Sequence, residues 1–504
     1  MKNKEQDAPQ KDNKKSEEKL NIDVSSNLHE NMRILKETFD KCSDVVIRSL
    51  KVGENPASLM YIDGLVDNSS IQLHAIHRLL SKIEPQQVTP EYLEEQVISI
   101  NKVVEATKLD DVTKQILAGN TILFVDSMAK AMVFNARGGE TRSVSEPETE
   151  TAVRGPREGF TENIRVNTSL IRNKIKSSRL KIISKEVGTE TNTNVDILYM
   201  DGLAEQSLVE EVEKRIDQIQ IDGILESGYI EELIEDSPSS FFPQIQNTER
   251  PDTVAANLLE GRVAILVSGT PFCLILPTTF WQFLQASEDY YNRFHISIFL
   301  RWLRFIFILI ALLLPALYIA VSTYHPEMIP SNLLYSIAAS RESIPFPAFV
   351  EAMIMEVAFE ALREAGIRLP KPVGQAVSIL GALVIGQAAV QAGIVSAPMV
   401  IIVSLTGIAS FTIPRFNMAI SIRLLRFPLM LLAGMFGLFG IVLGLLFIIT
   451  HLCKLRSFGV PYLSPLAPLT VKDLKDVFIR VPWWKMNSRP NQTNKENAQR
   501  ESSS

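Results

Sequence analysis

Apolar positions follow two different rhythms along this chain, and the change falls near residue 300. From about Asn27 to Phe294 they recur in short runs, some at helical spacing and some as brief β-rich stretches. This part therefore reads as globular α/β sequence. After Arg304 the alternation stops. Phe305–Val321 carries no charge, 373–414 has no charged residue, and 427–450 is a further uncharged run ending at His451 and Lys454. A helix needs about 20 apolar residues to cross the hydrocarbon core. Lipid offers the backbone no hydrogen-bond partner, so helices are the forced solution. Ser396-Ala397-Pro398 breaks the middle run where a tight turn would sit. The expected spans are thus about 299–321, 374–395, 398–414 and 427–450, inside a membrane domain at 297–453.

A segment between the first two spans, about 346–366, mixes Glu351, Glu356, Glu360, Arg363 and Glu364 into apolar sequence. At 100° per residue, Glu356, Glu360, Arg363 and Glu364 share about a third of the helix circumference. Ionisable groups at membrane depth are costly and usually face water or the bundle interior. Two readings stand: a membrane or re-entrant helix lining a cation pathway, or an amphipathic helix lying on the membrane surface. Gln375, Gln387 and Gln391 are polar exceptions in the charge-free stretch, and Gly386 and Gly393 let helices approach closely there. Gly440 and Gly444 make one GxxxG spacing, a weak sign of self-association. Basic residues before the first span and in the tail ask for both ends on the cytoplasmic side. Four spans then leave Arg363, Arg368, Lys371, Arg415, Arg423 and Arg426 on the opposite side, against that rule.

The soluble half repeats itself. SLMYIDGL (58–65) returns as DILYMDGL (196–203), and DDVTKQILAGNTILFV (110–125) as DTVAANLLEGRVAILV (252–267), at offsets of 138 and 142. Each copy predicts a strand ending in Asp-Gly, helices, a helix stopped by glycine (Gly119, Gly261) and a buried strand. Subdomains at 27–135 and 164–296 follow, the second including connecting helices, joined by a linker at 136–163. At 1–26 stands a charged leader expected to be disordered, and at 454–504 a tail with a disordered end. The fold class is an α/β cytoplasmic region of two similar subdomains followed by an α-helical multi-pass membrane domain.

Composition narrows the chemistry. With 51 basic against 57 acidic side chains, the net charge of −6 argues against nucleic acid as a partner. Three scattered cysteines make neither a disulfide framework nor a zinc site. His74 and His77 lie one helical turn apart without a ligand companion, so a solvated face is expected. No P-loop, GxSxG, HExxH or strand-borne GxGxxG is present, and no enzyme activity, metal or cofactor is expected.

Three strings carry a resemblance: EPETETAVRGPREGFTEN (146–163), IPFPAFVEAMIMEVAFEALREAGIRLPKPVGQAVSILGALVIGQAAVQAGIVSAP (344–398) and SLTGIASFTIP (404–414). Through them the chain resembles the A-subunit family of bacterial spore germination receptors over about 27–485. The resemblance implies a multi-pass protein of the spore inner membrane, working with a multi-pass, nutrient-binding B subunit and a lipoprotein C subunit. It also implies a homo-oligomer, a pentamer in the family, that forms a nutrient-gated cation channel. Glu356, Glu360, Arg363 and Glu364 would line its pore, with Gln375, Gln387, Gln391, Gly386 and Gly393 as polar and packing positions in lipid. Arg154, Gly155, Pro156, Arg157 and Glu158 of the linker would couple the soluble units to the membrane. A secondary transporter of a small solute, or a passive scaffold for a separate sensing subunit, are the alternatives.

Overall fold

The computed structural model describes residues 22–80, 88–100, 103–138, 146–369, 386–471 and 473–490. Expectations about 1–21, Gln375, most of the span at 374–395 and the end of the tail fall outside them. The described chain forms two compact units, one ending at Thr278 and rejoined by the last residues from Pro482, the other running from Thr279 to Val481 with a short piece at 239–244.

In the first unit, helix α1 (Leu28–Thr38) precedes strands β1 (Val45–Val52) and β2 (Asn55–Ile62). Strand β3 (Val103–Ala106), helix α2 (Leu109–Leu117) and strands β4 (Thr121–Val125) and β5 (Ala131–Phe134) complete the first copy. The second copy has α3 (Ile164–Lys174), β6 (Leu180–Val187), β7 (Thr193–Met200), α4 (Gln206–Asp217) and α5 (Ser227–Ile234). After these come β8 (Gln246–Thr248), α6 (Pro251–Leu258), β9 (Val263–Val267) and β10 (Cys273–Leu276). The two sheets have orders β1-β2-β4-β5-β3 and β6-β7-β9-β10-β8, with every described pairing antiparallel. Ala57 stands opposite Val125, and Val195 opposite Val267. Those residues carry the two sequence offsets, so the repeat is one of register as well as of fold. Strands β4 and β9 are buried at every position, as central strands covered on both faces are. Gly119 (φ 84°) and Gly261 (φ 86°) end α2 and α6 in the left-handed conformation that glycine adopts freely. The repeated Asp-Gly pairs follow β2 and β7 in tight turns, with Leu65 N–H donating to Ile62 O and Leu203 N–H to Met200 O.

The repeat starts earlier than the matched strings. Asn31 accepts from Ser25 N–H and donates to Ser25 O, and Asn167 does the same to Thr161. Nor is the leader unstructured throughout. Val24 is buried and Asp23 pairs with Lys108, because Val24 docks into the core beside Leu109, so the expected boundary at residue 26 moves back. The copies meet where 41–43 runs beside β6, with Ser43 N–H donating to Ile182 O and Ile182 N–H to Lys41 O. At this junction Arg172 binds Asp44 through two bonds (Nε–Oδ2 2.7 Å, Nη2–Oδ1 2.9 Å), both side chains being buried.

The second unit begins before residue 297. Its first elements are the helical turns Phe280–Leu284 and Glu288–Tyr291, which places 279–296 here and not in subdomain 2. The physical reason is aromatic packing. Trp281 meets Phe305 and Phe478 edge-on, and Phe283 lies against Tyr462, all within this unit's core. Helices α7 (Phe294–Tyr324), α8 (Ser331–Arg341), α9 (Ala348–Arg368), α10 (Ala397–Phe411) and α11 (Phe416–Lys454) follow. Two of them, α7 and α11, are long and apolar enough to cross a membrane.

Helix α11 is two helices. At Gly437 the backbone leaves the helix (φ 60°, ψ −140°), and the chain reverses. A Cβ on Gly440 would fall on Leu432 O, and one on Gly444 on Leu429 Cδ2, pairs that meet only if 438–454 runs back along 416–436. Tyr324, at the end of α7, donates its hydroxyl to Gly434 O (2.7 Å) beside this tip. The single crossing expected at 427–450 is therefore a hairpin. Its arms of 21 and 17 residues are about 31 Å and 25 Å long at 1.5 Å per residue. Its GxxxG glycines are spent on the close approach of the two arms rather than on a second copy. The span expected at 398–414 is the 15-residue α10, about 22 Å long, short of a hydrocarbon core of about 30 Å. The tail folds back on the start of α7: Arg301 bonds Asp289 (3.3 Å) and Asp476 (3.0 Å).

Candidate functional site

Helix α9 carries a row of ionisable residues in the second unit, and the packing of its aromatic residues sets their direction. Phe359 lies where a Cβ on Gly407 of α10 would be, and Phe349 lies at 3.0 Å from the corresponding point on Gly434 of α11. Two glycines on neighbouring helices thus form sockets for two phenylalanines of α9, so α9 can take one rotation only.

That rotation puts successive carboxylates against cations. Glu351 is fully buried and its Oε1 accepts both Ser396 N–H (2.6 Å) and the Ser396 hydroxyl, while Arg341 stands 3.6 Å from Oε2. Ser396 in turn caps α10, accepting from Met399 N–H, so Glu351 fixes the start of that helix. Glu356, also fully buried, accepts from Arg426 Nη1 at 2.5 Å, and Arg426 donates through Nε to Ala311 O of α7 (2.8 Å). This one contact set joins α7, α9 and α11. One turn on, Glu360 pairs with Arg363 (2.5 and 2.9 Å) and lies 4.0 Å from Arg423. Arg423 also covers the Phe416 ring at 5.9 Å. Glu364 pairs with Arg368, and both are exposed. Side-chain exposure climbs along the row, from 0% at Glu356 to 22% at Glu360 and 55% at Glu364. The row is enclosed at one end and exposed at the other.

Chemically, the seam holds charge inside an apolar bundle by pairing carboxylates with guanidinium groups. Each carboxylate has a guanidinium within 4.0 Å. A buried pair of this kind recovers its desolvation cost only while both members are present. Glu356, Glu360, Arg363 and Glu364 all lie on α9, and the enclosed end of the row faces helices of the same chain. From sequence, Arg423 and Arg426 fall in an extramembrane loop, Glu351 stands only among the charges of its segment, Ser396 only in a turn, and Arg341 is not singled out. One signal was available: Arg423 and Arg426 sit three residues apart beside a long apolar run, as Glu356 and Glu360 do at four.

Gln387 and Gln391 are exposed on the helical turns at 386–391, and Gly386 lies against Val400 of α10. Gly393 (φ 63°) lies near Ser343 O at the turn that leads to Ser396. The linker is docked on subdomain 2 at 146–152 and again at 159–163, while Arg154, Gly155, Arg157 and Glu158 are exposed between these anchors and Pro156 is half-buried. In the first unit, burial pushes the Cys42 and Cys273 thiols up, which leaves them weak nucleophiles. Among the described residues no group of three His, Cys, Asp or Glu side chains could hold a metal ion.

Residues 33–492 match the model of the Bacillus/Clostridium GerA spore germination protein family. The chain is 54% identical to the uncharacterized membrane protein YfkQ of Bacillus subtilis (strain 168), covering 97% of this chain and 95% of that one. It is 47% identical to spore germination protein KA of the same organism (95% and 89%). With spore germination protein GerLA of Bacillus cereus it shares 40% identity (93% and 96%). Among solved structures it matches the N-terminal domain of the A subunit of the Bacillus megaterium spore germinant receptor GerK3 at 36% identity. That match covers 51% of this chain and 98% of the other, with a TM-score of 0.42. On the family match and on relatives covered over nearly their whole length, the chain belongs to the Bacillus/Clostridium GerA spore germination protein family.

Proposed function

We propose that this chain is the A subunit of a nutrient germinant receptor and that copies of it form the cation path whose opening starts germination. It has no catalytic role in this reading. It sits in the spore inner membrane through α7 and the α11 hairpin, with the sheet-bearing unit on the spore-core side. A multi-pass B subunit supplies the nutrient pocket, a lipoprotein C subunit completes the receptor, and five copies surround one axis.

The observation that carries the reading is the graded row of carboxylates on α9. Charge kept inside an apolar bundle is expensive and usually marks an ion route or a moving part. Glu360, Arg363 and Glu364 form its exposed end and shape the field that a cation meets; Glu356 and Arg426 close it behind. Gln387 and Gln391, exposed on the neighbouring helical turns, face lipid or the next copy. The linker residues Arg154, Gly155, Pro156, Arg157 and Glu158 couple the soluble unit to the assembly.

The test is potassium release from spores that carry Glu356→Gln with Glu360→Gln and retain the protein in the membrane. Release after nutrient addition falls if the row lines the route, and undiminished release removes these residues from it. A passive scaffold is the second reading, favoured by one fact: every carboxylate of the row is neutralised within its own chain. Single-channel recording from the reconstituted receptor separates the two, since a scaffold gives no conductance.

A further inference from the structure

Subdomain 2 carries two surfaces that complement each other in shape class and in charge, on opposite faces of its sheet. The first is the tip of the linker. Its ends are clamped: Glu249 accepts from Glu148 N–H (2.6 Å) and the Thr149 hydroxyl (2.9 Å), and Arg250 donates to Glu150 O (3.2 Å) and Pro156 O (2.9 Å). Arg250 is itself held by Asp252, with both side chains buried. A buried ion pair therefore presents a short loop, and on that loop Val153 is 94% exposed beside the exposed Arg154 and Arg157. Arg157 reaches Glu146 at 3.0 Å, and Arg154 makes no ion pair among the described residues.

The second surface is α5. Leu225, just before the helix, and Tyr229 and Leu233 on it are 69%, 42% and 51% exposed. Tyr229 and Leu233, four apart, share one face of the helix, and Leu225 precedes its extended N-cap Glu226. Exposed Glu226, Glu232 and Asp236 rim these apolar residues. From 205 to 236 the chain has eleven acidic and two basic side chains, so this face is strongly negative. An exposed apolar patch with a charged rim is the usual mark of a protein contact.

The elements that carry the two surfaces pack on different faces of the sheet. Phe160, which follows the loop, packs with α3 and α6 on the sheet face of Leu180, Ile182 and Leu266. On the other face, Lys185 of β6 holds α4 through Glu213 (3.8 Å) and Asp217 (3.0 Å), and α5 is tied to α4 by Arg215, which bonds Asp236 and Ile234 O. Surfaces on opposite faces that match each other make a head-to-tail contact, and repetition of that contact closes a ring when the rotation permits.

We propose that the 153–157 loop of one copy docks on α5 of the next, with Val153 and Pro156 on Leu225, Tyr229 and Leu233 and Arg154 and Arg157 against Glu232 and its acidic neighbours. The partner is a second copy of this chain. This inference rests on the oligomer in the proposed function and adds the surface that builds it.

Disulfide trapping in the full-length membrane protein tests it, with exposed Cys453 replaced by alanine and buried Cys42 and Cys273 left in place. Val153→Cys with Leu233→Cys in one chain gives a ladder of linked multimers on mild oxidation, whereas a mixture of the two single variants gives dimers only. Arg154→Glu lowers the trapped yield roughly five- to tenfold, as charge reversal at an interface rim does, and Glu232→Arg restores it. A native-gel oligomer without the 153–233 link overturns the docking surface and leaves the oligomer standing. No oligomer at all overturns both. A 153–153 link, a link within one chain, or a link to a different protein each overturns the second copy as the occupant.

Discussion

Both units contain a buried arginine–carboxylate pair, and the two pairs are finished differently. In the sheet-bearing unit Asp44 spends both oxygens on Arg172, whose remaining nitrogen donates to Ser177 O. Neither residue has an orphaned buried atom among the described residues. In the helical unit Glu356 and Arg426 share one bond, and Glu356 Oε1 and Arg426 Nη2 are buried without a partner. A saturated pair has nothing to gain by moving and acts as a weld between the two copies. A pair that shares a single bond fixes its two side chains less completely.

The sharpest way to break the comparison is at the weld. Arg172→Met strands Asp44 in the junction and costs toward the upper end of about 3–5 kcal/mol, measured as a fall in thermal stability of the purified full chain. If the loss is no larger than for Glu356→Gln, the contrast fails. Next in size is Glu356→Gln, which leaves Arg426 charged and buried and costs toward the lower end of about 3–5 kcal/mol. Replacing both by methionine recovers most of it, and a double-mutant cycle gives the coupling. A smaller effect tests the repeat itself. Asn31→Ala and Asn167→Ala each remove two bonds to one backbone residue and cost about 1–2 kcal/mol apiece, by equal amounts within error.

A further effect is one of pH. Burial first, then Glu235 and Glu226, pushes Glu231 up to about 8. The folded state then holds a proton that the unfolded state has released. Stability from this group is complete below the ordinary glutamate range and is lost as pH rises through about 8. Glu231→Gln flattens that part of the stability profile, and an unchanged profile contradicts the assignment.

How much of this could be read from residues alone follows from the range of each interaction. The copies were legible at β2, β4, β7 and β9 because Asp-Gly turns and glycine-stopped helices are local signals. The Asn31 and Asn167 clamps were not, since a side chain that caps a preceding residue looks like any polar residue in sequence. The carboxylates of α9 stood out because charge is rare in apolar sequence. Their partners did not, because Glu356 and Arg426 are 70 residues apart and each has helical neighbours of its own. The hairpin was hidden for a related reason. Glycine is common in membrane helices, and only the positive φ of Gly437 distinguishes a reversal from a packing site.

The central claim is that the exposed end of the α9 row faces the permeating ion. It is tested most directly by the reversal potential of the reconstituted receptor under a potassium chloride gradient, with and without Glu360→Gln. The account predicts a shift toward the value of a less cation-selective path in the variant, at unchanged protein level. An identical reversal potential in both would place Glu360 away from the ion and contradict it.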